Sequence, residues 1–190
     1  MSKELVIDEE FKGIDFATRP PKRAEFENCQ FRNCSFSNVD LTYTSFTECE
    51  FEACDLSSAK IRNTAFKDVV FRDCKLLGVK FENCNTFLLQ FYFEGCRIDY
   101  ATFYKLKLPM TTFKKCSLKE ADFSNADISG SDFSNCDLSG AVFENTNIEK
   151  VDFRTAENFA IHLENNKVRK ARFSQDGLKG LLSKYDLIID

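Results

Sequence analysis

Nine cysteines, a single histidine (His162) and a run of evenly spaced aspartates are the residues of this 190-residue chain with the chemistry to hold a metal, attack a carbonyl or move a proton. Thiolate metal sites need clustered pairs at C-x-x-C-like spacing. The cysteines stand instead at Cys29, Cys34, Cys49, Cys54, Cys74, Cys84, Cys96, Cys116 and Cys136, without one such pair. His162 sits beside Leu163 with no second histidine to share a metal or a proton relay. There is no G-x-S-x-G elbow and no Gly-rich phosphate loop. The expectation is a non-enzymatic protein with no cofactor and no metal.

The bulk properties narrow the class further. With 26 basic and 30 acidic residues the net charge is −4, which gives no general attraction to nucleic acid. The opening "MSKELVIDEEFKG" has neither the basic leader nor the apolar core of a secretion signal. No apolar run approaches the roughly 20 residues of a membrane helix. The reading is a cytoplasmic protein with no membrane or direct nucleic-acid partner, whose thiols stay reduced.

What positions these residues is a five-residue beat. From Phe26 to Phe81 every fifth residue is Phe, Leu or Ile, and thirteen more follow from Phe93 to Phe153 without a miss. A helix repeats apolar positions near 3.6 and a half-buried strand at 2, so this period belongs to neither. Two residues before each centre is a second slot, nearly always small: Ala24, Cys29, Cys34, Val39, Thr44, then Ala121, Ala126, Ser131, Cys136. All nine cysteines fall in that slot, where cysteine serves as a small buried hydrophobe.

This two-slot pattern resembles the pentapeptide-repeat family, over roughly residues 11 to 178. The resemblance implies an all-β fold, a right-handed quadrilateral parallel β-helix of about eight coils, four pentads to a 20-residue coil. The sequence agrees with a 20-residue turn. Phe26, Phe46 and Phe66 form one column, Phe31, Phe51 and Phe71 a second, and Cys34, Cys54 and Cys74 a third. A coil cannot bury both slots alone, so coils must stack at a spacing of about 4.8 Å.

The beat breaks in three places. "ATRPPKRA" (17–24) puts Pro21 on a centre, which suits an exposed turn or a binding loop. From Phe81 to Phe93 is twelve residues, two more than two pentads, so the phase slips near 84–92. Phe87, Leu88, Leu89, Phe91, Tyr92 and Phe93 cannot all point inward there. They read as a joint with spare aromatics packed over it, or as an apolar patch for a partner. The β-helix is expected over 1–178 and a capping or dimerisation segment over 174–190. In that segment Ser174 or Asp176 caps a short helix, and Leu178, Leu181, Leu182 and Tyr185 share one face, followed by Leu187, Ile188 and Ile189. This face reads as a lid on the last coil, as a twofold dimer contact, or as both.

Charge supplies the remaining signal. Between Glu120 and Asp152 there are eight acids against one base, Lys150. Asp122, Asp127, Asp132 and Asp137, each just before a centre, are five apart and so fall one per face around a single coil. With Glu144, Glu149 and Asp152 they make an acidic belt, either a partner-binding surface or an ordinary solvated one, flanked by basic clusters at Lys105–Lys119 and Lys167–Arg172. The slipped middle segment, "RIDYATFYKLKL" after it and the "GLKGLLSKYDLII" tail are similar to the quinolone-resistance and microcin-immunity branch of the family. That likeness implies a homodimer joined through its C-terminal ends. Its rod-like, acidic shape would stand in for duplex DNA on a type II topoisomerase, DNA gyrase or topoisomerase IV. Unlike the quinolone-resistance proteins the chain has no protruding loops, since Ala24 to Phe81 runs unbroken. A rigid scaffold for another cytoplasmic protein, bound through the 87–93 segment, is the competing expectation.

Overall fold

The computed structural model describes residues 4–21, 23–185 and 187. Short three- or four-residue strands, β1 (Leu5–Ile7), β2 (Glu10–Lys12), β3 (Glu25–Glu27), β4 (Gln30–Arg32), β5 (Ser45–Thr47), β6 (Glu50–Glu52), β7 (Ala65–Lys67), β8 (Val69–Arg72), β9 (Phe91–Glu94) and β10 (Thr112–Lys114), form two parallel ladders. One runs β1-β3-β5-β7 and the other β2-β4-β6-β8-β9-β10. Isolated parallel bridges build the other two sides, Asp15↔Ser35↔Asp55↔Lys75 and Asp40↔Lys60. The coil is four-sided. The longest column climbs through Glu10, Gln30, Glu50, Val70, Tyr92, Thr112, Asp132, Asp152 and Arg172.

Most pentads turn a corner two residues after their centre, where the backbone enters the left-handed region. Asn28, Asn33 and Asn38 hold φ of 50, 52 and 59° there, and Gly13 and Gly78 do the same elsewhere. Asn, Asp and Gly tolerate this conformation better than other residues. A side chain two residues before the corner then points inward, and so does the one two residues before that. The centres from Phe26 to Phe81 and from Phe93 to Phe153 are all buried, and so are all nine cysteines.

The phenylalanines stack in columns. One runs the length of the rod from Phe11 through Phe31, Phe51, Phe71, Phe93, Phe113, Phe133 and Phe153 to Phe173, with ring centroids 4.7–5.4 Å apart. Neighbouring columns meet edge to face, as in Phe103–Phe113 at 5.8 Å and 85°. Both geometries suit the ring quadrupole. The cysteine column is likewise in register: Cys54 Sγ accepts the Cys34 N–H, and Cys74 Sγ accepts the Cys54 N–H, both at 3.4 Å.

The two extra residues leave the coil at one corner. Before it rungs are 20 residues apart; across it Val70 pairs with Tyr92, Lys75 with Arg97 and Lys80 with Thr102. The chain bulges outward over 86–90, so Thr86, the next expected centre under Phe66, is exposed. Phe91, from a slot that is nearly always small, fills the space instead: it is buried, with its ring 5.4 Å from Phe66 and 5.3 Å from Phe81. Phe93 is buried as well and Leu89 packs on the core. Phe87 and Leu88, read as either covering the joint or forming an apolar patch, are 66% and 65% exposed.

At the C-terminal end α1 (Leu178–Leu182) lies across the last coil. Leu181 is buried in the core and the Ile161 N–H donates to the Gly180 carbonyl at 3.1 Å. Ser174 accepts the Gly177 N–H at 3.1 Å, capping the turn that leads into the helix rather than the helix itself.

Candidate functional site

The four belt aspartates occupy four different columns. Asp122 bridges Thr102 and Val142, Asp127 bridges Lys107 and Asn147, Asp132 bridges Thr112 and Asp152, and Asp137 bridges Ser117 and Glu157. The arrangement is a ring around one coil. All four are half-buried, because each carboxylate bends back over its own corner. Oδ1 accepts the amide N–H two residues on: Asp122 from Ser124 at 2.8 Å, Asp127 from Ser129 at 3.0 Å, Asp132 from Ser134 at 2.9 Å and Asp137 from Ser139 at 3.1 Å. The Asp-apolar-Ser spelling thus encodes an Asx turn at each corner, and the serine hydroxyls of 134 and 139 add a second bond.

These bonds set the charge. Burial works to raise the Asp127 carboxyl, but bonds from Ser129 and Asn147 and the charge of Lys167 outweigh it and hold it below the ordinary value. Against the same burial effect, Ser139, Asn158 and Lys119 hold Asp137 well below. Arg154 does most to lower Asp152. The three are therefore fully ionised at neutral pH.

Two belt members are neutralised by neighbours. Asp137 pairs with Lys119 at 3.1 Å, and Asp152 with Arg154 at 2.7 Å and Arg172 at 3.3 Å. Glu144 lies 3.8 Å from His162, and its other oxygen accepts from Asn165 at 3.1 Å. Asp122, Asp127, Asp132 and Glu149 have no cation within 4 Å among the described residues. Those four are the open charges among the belt's seven acids, so the belt is narrower than its sequence suggests.

A second charged feature went unread in the sequence. On the column that carries β2 through β10, Arg32 reaches Glu10 at 3.4 Å and Glu52 at 3.2 Å, while Arg72 reaches Glu50 at 2.8 Å and Glu94 at 2.6 Å. Lys114 closes on Glu94 at 2.9 Å, and Tyr92 donates to Glu94 under the Arg72 guanidinium. Alternating sign at spacings of 20 and 22 was the available signal. The ladder ties coils together on one face and leaves it close to neutral.

Exposed apolar residues occur at the slipped corner, at the C-terminal end and at Leu5 and Ile7 near the N-terminal end. Phe87 and Leu88 stand out at the slipped corner, and Met110, 76% exposed, occupies the equivalent corner of the next coil. Lys67 lies over the Phe87 ring at 5.9 Å. At the C-terminal end the expected apolar face divides. Leu181 points into the core and Leu182 is half-buried, whereas Leu178, Tyr185 and Leu187 are 48%, 57% and 57% exposed. Ile188 and Ile189 lie outside the described residues. Among the described residues no His, Cys, Asp and Glu cluster has the arrangement to hold a metal ion, and no helix is long and apolar enough to cross a membrane.

Known proteins share this geometry. A pentapeptide repeat region profile matches residues 24–103 and 44–123, and a profile of eight-copy pentapeptide repeats matches 116–154. No curated protein sequence matches the chain. Among solved structures, trypsin-treated QnrB1, a plasmid-mediated fluoroquinolone resistance protein, superposes with a TM-score of 0.75 at 18% identity over 100% of both chains. A second trypsin-treated form gives 0.64 at 21%, over 99% of this chain and 98% of that one. HetL from the cyanobacterium Nostoc, a pentapeptide repeat protein involved in heterocyst differentiation regulation, matches over 92% and 88% of the two chains at 15% identity and a TM-score of 0.46. At these identities the likeness is one of fold.

Proposed function

This chain belongs to the pentapeptide-repeat family, and on that premise we propose that it is a DNA-mimicking protein that binds a type II topoisomerase, DNA gyrase or topoisomerase IV, and modulates its response to quinolones or peptide toxins. The observation that carries this reading is the set of open carboxylates, Asp122, Asp127, Asp132 and Glu149, presented on a rod with full-length likeness to a fluoroquinolone resistance protein. In the complex these carboxylates take the place of phosphates against Lys and Arg of the enzyme's DNA-binding surface. Asp137 and Asp152 add to the belt once their own cations are drawn aside. Ionic contacts of this kind steer association and weaken with salt.

A twofold contact through Leu178, Tyr185 and Leu187 would join two rods end to end and lengthen the acidic surface, with Leu181 and Leu182 closing each core beneath it. The net charge of −4 opposes direct binding of the chain to nucleic acid.

The test is displacement. Labelled duplex DNA bound to gyrase is titrated with the protein at two salt concentrations. Salt-sensitive release of the DNA by the native chain, lost in the Asp122→Asn/Asp127→Asn/Asp132→Asn variant, supports mimicry. Asparagine is the right replacement because its Oδ1 still accepts the turn hydrogen bond, so charge alone is removed.

One observation favours a second reading. Phe87, Leu88 and Met110 form an exposed apolar corner, which suits a scaffold for another protein. No release of DNA from gyrase by the native chain, together with binding of another protein that is lost in Phe87→Ser/Leu88→Ser, favours that reading.

A further inference from the structure

The two ends of the rod are finished differently. The C-terminal end is closed by α1, with Leu181 in the core and Phe159 packed beneath it. At the other end β1 and β2 are the last strands of their ladders, and among the described residues no strand pairs beyond them. Val6, Phe11 and Ile14 are only partly covered, and a cavity of about 360 Å³ opens between them and Pro21. Leu5 and Ile7 flank it, 57% and 47% exposed.

The hydrogen-bonding groups at this end are specific. In a parallel ladder alternate residues bond to opposite neighbours. The next coil uses the Glu9 carbonyl, which accepts from Gln30 at 2.9 Å, and the Gly13 N–H, which donates to Arg32 at 2.9 Å. With Phe11 paired to Phe31 between them, the N–H and C=O of Glu10 and of Lys12 are left pointing off the end of the rod.

We propose that this edge docks a second copy of the chain through an antiparallel β2–β2 pair centred on Phe11. Antiparallel strands pair through residues that exchange both N–H and C=O, and the free residues here are Glu10 and Lys12. A twofold axis through Phe11 sets Glu10 opposite Lys12 of the second copy, and Lys12 opposite its Glu10. Both hydrogen-bonded pairs then join opposite charges. The strand Glu-Phe-Lys is complementary to itself in bonding pattern and in charge, which is what an isologous contact requires. Docking also covers the half-exposed Val6, Phe11 and Ile14 and removes an unprotected edge. Pairing at this end is independent of the topoisomerase reading.

Register-specific crosslinking tests it in the full chain. Two variants, Glu10→Cys and Lys12→Cys, replace exposed side chains, while the nine native thiols are buried. Opposed residues in a hydrogen-bonded antiparallel pair lie about 5.5 Å apart at Cα, within disulfide reach. An equimolar mixture in a glutathione buffer gives the mixed disulfide between the two variants in about tenfold or greater excess over either homodisulfide, whose Cα atoms lie beyond about 7 Å. Gln30→Cys mixed with Arg32→Cys, the same spacing one coil inward where β2 already occupies the edge, gives no linked dimer. Equal yields of all three disulfides, or none, overturn the proposal. As a second measurement, in a Leu178→Ser/Tyr185→Ser/Leu187→Ser background that removes any C-terminal contact, Lys12→Glu abolishes the concentration-dependent association read by sedimentation, and the swap Glu10→Lys/Lys12→Glu restores it; failure of the swap also overturns it.

Discussion

The Asp137 carboxylate accepts two hydrogen bonds from Ser139, one from its amide at 3.1 Å and one from its hydroxyl at 2.6 Å. A side chain that reads as surface charge thus also folds the chain at its corner. Replacing it separates the two roles. Asp137→Ala leaves the turn amide unpaired and lowers stability by about 1 kcal/mol, while Asp137→Asn keeps the acceptor and loses only the exposed Lys119 pair, for well under that amount. Urea unfolding of the two variants measures the difference.

The same bonds make stability depend on acid. Asp127, Asp137 and Asp152 are all held below the ordinary carboxyl value. Groups depressed in the folded state contribute stability above the unfolded value, about 3.9 for Asp, and lose it as pH falls through the folded values. Stability is therefore insensitive to these groups from neutral pH to about 5 and declines below about 4. Thermal melts from neutral pH down to about 2.5 trace the decline, and Asp137→Asn makes it shallower.

The core sets the largest penalties. Phe113 is fully buried between Phe93 and Phe133, with centroids 5.2 and 4.8 Å away. Phe113→Ala costs about 3–5 kcal/mol, and Phe91→Ala, which empties the space under Phe66, costs nearly as much. Phe87→Ala, at an exposed corner, changes stability by less than about 0.5 kcal/mol. Guanidinium unfolding of the three ranks buried against exposed aromatics at the joint.

The lid gives a fourth test. A β-carbon on Gly180 would run into the carbonyl and the ring of Phe159, so Gly180→Ala lifts α1 off the last coil. It lowers the melting temperature and raises amide exchange at the lid, whose bond to Gly180 is the Ile161 N–H. Tyr100→Ser, at a residue 65% exposed on another coil, leaves both unchanged.

The buried thiols give a fifth. Burial pushes Cys49 and Cys84 up to about 12, far from the thiolate needed for reaction. A thiol reagent at mildly alkaline pH titrates these cysteines only after denaturant is added.

Much of this architecture is legible in the sequence because side-chain direction in a coil is a local property. Phe31, Phe51 and Phe71 stack as their spacing requires, and the two extra residues before Phe93 appear as rungs 22 apart. What the spacing does not carry is which corner absorbs an insertion. Thr86 turns outward and Phe91 enters a slot that is nearly always small, because an empty place beside Phe66 and Phe81 is worth filling with a ring. The apolar face from Leu178 to Tyr185 divides for a similar reason: α1 ends at Leu182, so Leu181 meets the core and Tyr185 does not. In the acidic belt, position alone marks Asp122 to Asp137 as one per face, yet not that Lys119 neutralises Asp137 or that Ser124, Ser129, Ser134 and Ser139 draw the carboxylates inward. Those depend on neighbours a coil away and on a corner conformation set by the residue that follows.

The measurement closest to the central claim is a gyrase supercoiling titration with the purified full chain, with and without a fluoroquinolone. Alongside it runs the Asp122→Asn/Asp127→Asn/Asp132→Asn variant, confirmed as folded by its melting curve. The account predicts that the native chain inhibits supercoiling or protects the enzyme from the drug, and that the neutralised variant does neither. No effect of the native chain at concentrations well above the enzyme, or an equal effect of the variant, would contradict it.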